Sequence, residues 1–129
     1  MLLDTHSLLW LTHDENSLSN VARERLNKSL EQKVALFCLS ASFWEIAVKC
    51  KKRKIDIGMS SEQFLELCNE AEGLEIVETT ATDWILSAQL DWAHRDPIDR
   101  LLVATAARLD TEIVTCDDEI RNYYSLCVW

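Results

Sequence analysis

Glycine and proline are almost missing from this chain; Gly58, Gly73 and Pro97 are all it has. So few breakers exclude a collagen-like or low-complexity chain and leave long stretches free to run as helix. The cysteines Cys38, Cys50, Cys68, Cys116 and Cys127 are odd in number, widely spaced and without a Cys-x-x-Cys pair. That spacing excludes a zinc ribbon and a dithiol redox motif, and reads as reduced thiols. No apolar run approaches the ~20 residues that cross a bilayer, so no membrane role is expected. Met1–Trp10 has an acid at Asp4 and no basic leader before a long apolar run, so a secretory leader is not expected either, and a cytoplasmic location follows. No Gly/Ser-rich linker, repeat or low-complexity tract marks a boundary, and residues 1–129 are read as one domain, a size at which a substantial core can be buried.

Positive charge is also scarce. The balance of 22 acids against 13 bases gives a net charge of −9, which opposes the diffuse attraction behind non-specific nucleic-acid binding. Five of those bases, Lys49, Lys51, Lys52, Arg53 and Lys54, nevertheless share one six-residue stretch. Such a patch can follow a phosphate backbone, or can be a solvated helix end whose cations complement the helix dipole.

What the chain does have is apolar residues in two periodicities. Short apolar runs at Met1–Leu3, Val34–Leu39, Leu74–Val77 and Ile113–Cys116 read as buried strands. Helical patterning covers Ser19–Gln32, Ala41–Lys54, Ser61–Glu72, Thr82–Ala93 and Ile98–Leu109, with a short helix near Asp118–Tyr124. Ser40 or Ser42, Ser60 and Asp96 suit N-caps, Pro97 a first helical position and Gly73 a helix exit. This alternation predicts an α/β fold with a central, mostly parallel sheet of four to five strands, and the almost wholly apolar Met1–Leu3 reads as its middle strand.

In an open parallel sheet, ligands gather beyond the carboxyl ends of the strands. Asp4 follows the first strand, Asp117 follows Ile113–Cys116, and Glu45 lies near the start of the helix that leaves Val34–Leu39. Asp99 reaches the same edge because its helix turns back into the last long strand near Asp110-Thr111, so the helix must begin at the carboxyl end. Gathered acids raise one another's pKa, and the cluster makes sense with a hard divalent cation in its middle. Oxygen-only ligation fits Mg²⁺ or Mn²⁺, whereas zinc would recruit His or Cys. Each acid also has a structural reading. Ser42–Glu45 matches a capping box, Glu45 and Lys49 form an i,i+4 pair, Asp99 suits the first turn of its helix, and Asp117 suits an N-cap. Asp4 is the hardest to explain away, because an acid ending a buried strand is unfavourable unless paired or metal-bound.

The blocks Asp4-Thr5-His6-Ser7-Leu8-Leu9-Trp10, Ser42-Phe43-Trp44-Glu45-Ile46-Ala47-Val48-Lys49, His94-Arg95-Asp96-Pro97-Ile98-Asp99-Arg100-Leu101-Leu102 and Thr115-Cys116-Asp117 resemble, in order, the signature blocks of PIN-domain toxins of the VapC type. The resemblance spans nearly the whole chain. It implies a PIN-like three-layer α/β/α fold and a Mg²⁺- or Mn²⁺-dependent endoribonuclease that cuts by metal-activated water, leaving a 5′-phosphate and a 3′-hydroxyl. It also implies a cognate antitoxin that covers the site, and a homodimer. By position it makes Asp4, Glu45, Asp99 and Asp117 the catalytic acids, with Asp4, Asp99 and Asp117 as metal ligands and Asp96, Thr5 and Thr115 as auxiliary groups. Lys49, Lys51, Lys52, Arg53, Lys54 and Arg100 are the candidate RNA contacts. Ile98 stands where the family commonly has an aromatic residue, and the Lys/Arg run replaces a usual Gly-containing turn.

His6, His13 and His94 lie far apart and repeat no metal-ligand spacing; His94 reads either as a phosphate contact or as part of an exposed loop. Trp10, Trp44, Trp84 and Trp92 read as core or subunit contacts rather than base-stacking platforms. Two other classes compete with the nuclease. A phosphatase or receiver domain also places acids at strand ends, but Asp4-Thr5-His6 lacks the second Asp of a D-x-D motif. A catalytically inactive PIN-fold protein-binding module is the remaining alternative.

Overall fold

Leu2 and Leu3 are adjacent, both fully buried, and belong to opposite cores, because successive side chains of a strand point to opposite faces. The computed structural model describes residues 1–129. Its sheet has the order β3-β2-β1-β4-β5, with β1 at Leu2–Leu3, β2 at Leu36–Leu39, β3 at Leu74–Val77, β4 at Ile113–Val114 and β5 at Cys127–Val128. Every pairing is parallel, with Leu2 opposite Phe37 on one side and Ile113 on the other. The strand read as central from its apolar character is the central strand.

Seven helices flank this sheet: α1 (Thr5–His13), α2 (Asn20–Glu31), α3 (Ser40–Lys51), α4 (Ser61–Glu70), α5 (Ala81–Gln89), α6 (Pro97–Leu109) and α7 (Asp118–Tyr123). On one face Leu8, Leu26, Ile46 and Phe64 from α1 to α4 close over Leu3 and Val114. On the other, Leu101, Leu102 and Ile120 from α6 and α7 close over Leu2 and Ile113. The architecture is α/β with an all-parallel five-stranded sheet, as the sequence predicts in class and layering. Helix α6 ends at Asp110 in the left-handed conformation, φ 49°, and this tight exit returns the chain antiparallel into β4.

Several local expectations change. Helix α1 was not predicted; Leu8, Leu9, Trp10 and Leu11 give no clear helical stripe, yet Asp4 caps the helix by accepting from Ser7 N at 2.5 Å. Strand β5 is two residues long and escapes any apolar-run criterion. The Ser42–Glu45 capping box does not form. Helix α3 starts directly from β2 with Leu39 at its cap and no side-chain cap bond, so Ser42 is buried in the helix and Glu45 lies in its second turn. The caps at Ser60 and Asp96, Pro97 in the first turn, and the positive φ of Gly73 follow the sequence reading.

Candidate active site at the carboxyl edge of the sheet

Asp4 leaves β1 and bonds through its backbone N to Val114 O at 3.1 Å, so β4 fixes its place. Its carboxylate is buried, and burial raises its pKa against the opposing help of the Thr115 hydroxyl and the Ser7 donors. Thr115 follows β4 and is fully buried. Its Oγ1 accepts from Asp117 N at 3.0 Å, while Asp117 Oδ1 accepts from Glu119 N and Ile120 N and so caps α7. Thr115 therefore stands between the two strand-end acids.

Asp99 sits in the first turn of α6, where Asp96 accepts from the N–H groups of Ile98 and Asp99. Burial pushes the Asp99 pKa up, with Asp96 and Asp117 adding repulsion and His94 opposing them, to about 6. Because α6 exits at Asp110 straight back into β4, its first turn lies at the edge where β4 ends. Glu45 arrives from α3. Its Oε2 accepts from the Thr5 hydroxyl at 2.5 Å and its Oε1 pairs with Lys49 Nζ at 2.7 Å, while Lys49 also lies 3.3 Å from His6 Nε2. Thr5 thus ties α1 to α3, and Glu45 has a cation of its own.

Asp99 and Asp117 take their hydrogen bonds on a single oxygen, Oδ2 and Oδ1 respectively, while Asp4 accepts from Ser7 N at Oδ1 and is also supported by the Thr115 hydroxyl. Carboxylate oxygens are hard donors of the kind Mg²⁺ and Mn²⁺ prefer, so the chemistry fits such an ion. No three His, Cys, Asp or Glu side chains close on a common point, however. Like charges without a counter-ion repel, and the fold supplies local partners instead.

His94 is the partner that sequence reasoning missed. Its Nε2 lies 2.7 Å from Asp99 Oδ2 and its Nδ1 lies 2.6 Å from Glu119 Oε2, so it is no exposed loop residue. Burial lowers its pKa, but hydrogen bonds and charge from Asp99 and Glu119 outweigh that and raise it. Both ring nitrogens facing carboxylates suits the imidazolium, which donates from both. The only sequence signal was a histidine just ahead of the Asp96-Pro97 helix start. Trp92 stacks on His94 at 4.4 Å and on Tyr123 at 4.7 Å, so both its faces are covered and it is no platform for a base.

Of the candidate RNA contacts, Lys51 ends α3 and Lys52, Arg53 and Lys54 follow it, all four exposed, with Arg53 at φ 53°. Arg100 has a different task from the one expected. Its guanidinium faces inward and donates to the carbonyls of Ser87, Ala88, Leu90, Trp92 and His94, which leaves it no donor for a phosphate. Trp44 and Trp84 are 61% and 44% exposed, so they are surface residues, whereas Trp10 packs on Trp129.

The family model described as PIN domain matches residues 1–126 of the chain. No curated protein matches it.

Proposed function

The chain belongs to the PIN-domain family, whose members are generally metal-dependent nucleases, and from that premise we propose that it is a Mg²⁺- or Mn²⁺-dependent endoribonuclease, the toxin half of a VapBC-like toxin–antitoxin pair. The observation that carries this reading is topological: Asp4 follows β1, Asp117 follows the end of β4 and Asp99 opens α6, so all three belong to the carboxyl edge of the sheet, and burial raises the pKa of Asp4 and Asp99. Those acids would hold the ion through their carboxylate oxygens. When bound, Mg²⁺ or Mn²⁺ supplies Lewis acidity and a water acidic enough to ionise near neutrality. Glu45, held by Thr5 and Lys49, orients the attacking water and receives its proton. Lys51, Lys52, Arg53 and Lys54 guide the phosphate backbone, a local attraction that offsets the net charge of −9.

Purified protein incubated with total RNA should cut it in Mg²⁺ or Mn²⁺ and not in EDTA, leaving 5′-phosphate ends. Millimolar Mn²⁺ should also raise the melting temperature, because a ligand held only by the native state stabilises it, by about 2.7 kcal/mol at a hundred times Kd. Cleavage that persists in EDTA would overturn the metal reading. For the toxin role, expression in a bacterial host should arrest growth, and co-expression of the product of a neighbouring small reading frame should relieve it. Gel filtration tests the homodimer, and fractionation of the host cell tests a cytoplasmic location.

One observation favours a second reading: no three of the acidic side chains close on a common point, and Asp4, Asp99, Asp117 and Glu45 each have a partner within the fold. A catalytically inactive PIN-fold module that works through protein contacts fits that arrangement. Tight binding of the neighbouring gene's product, with no RNA cleavage under any metal, would select it.

A further inference from the structure

Between α5 and α6 the chain runs from Leu90 to Asp96 without regular structure, and its one local backbone bond is Trp92 N to Leu90 O at 2.9 Å. Carbonyls in such a segment need other partners when water is excluded. Arg100 supplies them for Leu90, Trp92 and His94, and reaches back to Ser87 and Ala88 in the last turn of α5. Nε donates to Ser87 O at 2.9 Å, Nη1 to Trp92 O at 2.5 Å and His94 O at 3.2 Å, and Nη2 to Ala88 O at 3.3 Å and Leu90 O at 2.8 Å. A guanidinium has five N–H donors in a rigid fork, and here each one has its own carbonyl. The segment that the fork gathers ends on His94, and His94 joins Asp99 of α6 to Glu119 of α7.

We propose that Arg100 is a positioning residue for Asp99: its guanidinium clamps Ser87–His94, the clamp seats His94 on Asp99 Oδ2, and the other oxygen, Oδ1, is thereby turned to the sheet edge. The Trp92 ring braces the same seat, stacked between His94 and Tyr123. Arg100 follows Asp99 directly on α6, so one helical turn carries both the functional carboxylate and the group that fixes its surroundings. The activity consequence rests on the nuclease reading above; the structural one does not.

Arg100→Lys keeps the charge and removes the planar fork. Expected are movement of the His94 imidazole resonances and of the Asp99 side-chain carboxyl resonance in NMR spectra, and weaker Mn²⁺ binding by calorimetry. Turnover of a single-stranded RNA should fall on the order of tenfold, the scale of lost outer-shell partners, with KM unchanged. Should Arg100→Lys fail to fold, Glu119→Gln, at an exposed site, tests the same seat and should move both resonances with a smaller loss of turnover. Resonances that stay at their wild-type positions in the folded variant overturn the proposal. So do resonances that move while Mn²⁺ affinity and turnover stay at wild-type values in a protein that binds and cuts. A wild-type protein that neither binds Mn²⁺ nor cuts RNA removes the nuclease reading instead, and the two resonances still decide the clamp.

Discussion

Asp83 and Asp4 are both buried carboxylates near a helix start, and the fold treats them in opposite ways. At the α5–α6 contact, Asp83 Oδ1 accepts from Arg108 Nε at 2.6 Å, and Oδ2 accepts from Thr80 N at 2.9 Å and from the Thr80 hydroxyl at 2.8 Å. Burial works to raise its pKa, but Arg108 and Thr80 outweigh it and hold the carboxyl below its usual value. At the sheet edge burial wins, and both Asp4 and Asp99 are raised. A carboxylate whose two oxygens are satisfied within the fold is a structural part. One whose charge burial opposes, and whose oxygens are not all satisfied within the fold, is a candidate for a cation from outside.

Asp4→Asn sharpens this contrast most. It keeps shape, removes the charge that burial opposes, and should reduce cleavage to background while the metal-free protein melts at an equal or higher temperature. A fully active Asp4→Asn protein would break the division between the two regions. Asp83→Asn should do the reverse, lowering stability by roughly 1–3 kcal/mol, since it unpairs Arg108 and weakens the capping box. The lower part of that range applies because the Arg108 side chain is 35% exposed. Turnover per folded molecule should stay at the wild-type level, measured below the melting transition.

How much of this was legible in sequence differs between the regions for the same reason. The edge acids follow apolar strands or open a helix with clear start signals, so topology alone assigns Asp4, Asp99 and Asp117 to the carboxyl edge. Thr5, Thr115 and Asp96 come with them as neighbours. The Asp83–Arg108 pair is separated by 25 residues across two helices, and no local pattern announces it. Arg100 was misread because a cation beside a candidate acid suggests a ligand contact, whereas its partners are backbone carbonyls that carry no sequence signal. His94 was underrated for a similar reason: Asp99 is five residues on and Glu119 lies on another helix. Helix α1 shows a limit of periodicity, since a short helix that buries Thr5, Ser7, Leu8 and Leu9 has no polar face along that stretch to read.

Acid and base separate the regions next. Asp83 has a depressed folded pKa, so its contribution is present above its ordinary value of 3.8 and is lost as pH falls through the lower folded value. Asp99 has the opposite sign. Its folded pKa of about 6 against 3.8 means that ionisation above pH 3.8 increasingly destabilises the native state until pH passes about 6. His94, raised above 6.5, adds stability that is fully present below 6.5 and is lost as pH rises through its folded value. In EDTA the melting temperature should therefore fall from about pH 3.8 to pH 6 as Asp99 ionises, and fall again as pH rises above 6.5 and His94 loses its proton. Asp99→Asn should flatten the first fall and Asp83→Asn should leave it in place. A slope untouched by Asp99→Asn would place its origin outside the edge.

The smallest effect comes from making the same deletion in both regions. Thr80 and Thr5 each donate a hydroxyl hydrogen bond to a carboxylate, Thr80 to Asp83 at 2.8 Å and Thr5 to Glu45 at 2.5 Å. Thr80 Oγ1 also accepts from Asp83 N at 3.2 Å as the cap of α5. Thr80→Val should lower stability by about 1 kcal/mol, as lost N-caps do, and leave turnover alone. Thr5→Val should barely move the melting temperature, because Glu45 retains Lys49, yet the carboxylate loses one of the two contacts that aim it. Turnover should then fall on the order of tenfold with KM unchanged, the mark of a group that acts on the reacting centre rather than on binding. If Thr5→Val instead unfolds the protein as readily as Thr80→Val and spares turnover, the Glu45 contact is part of the scaffold. The boundary between the two regions then moves inward to Asp4, Asp99 and Asp117.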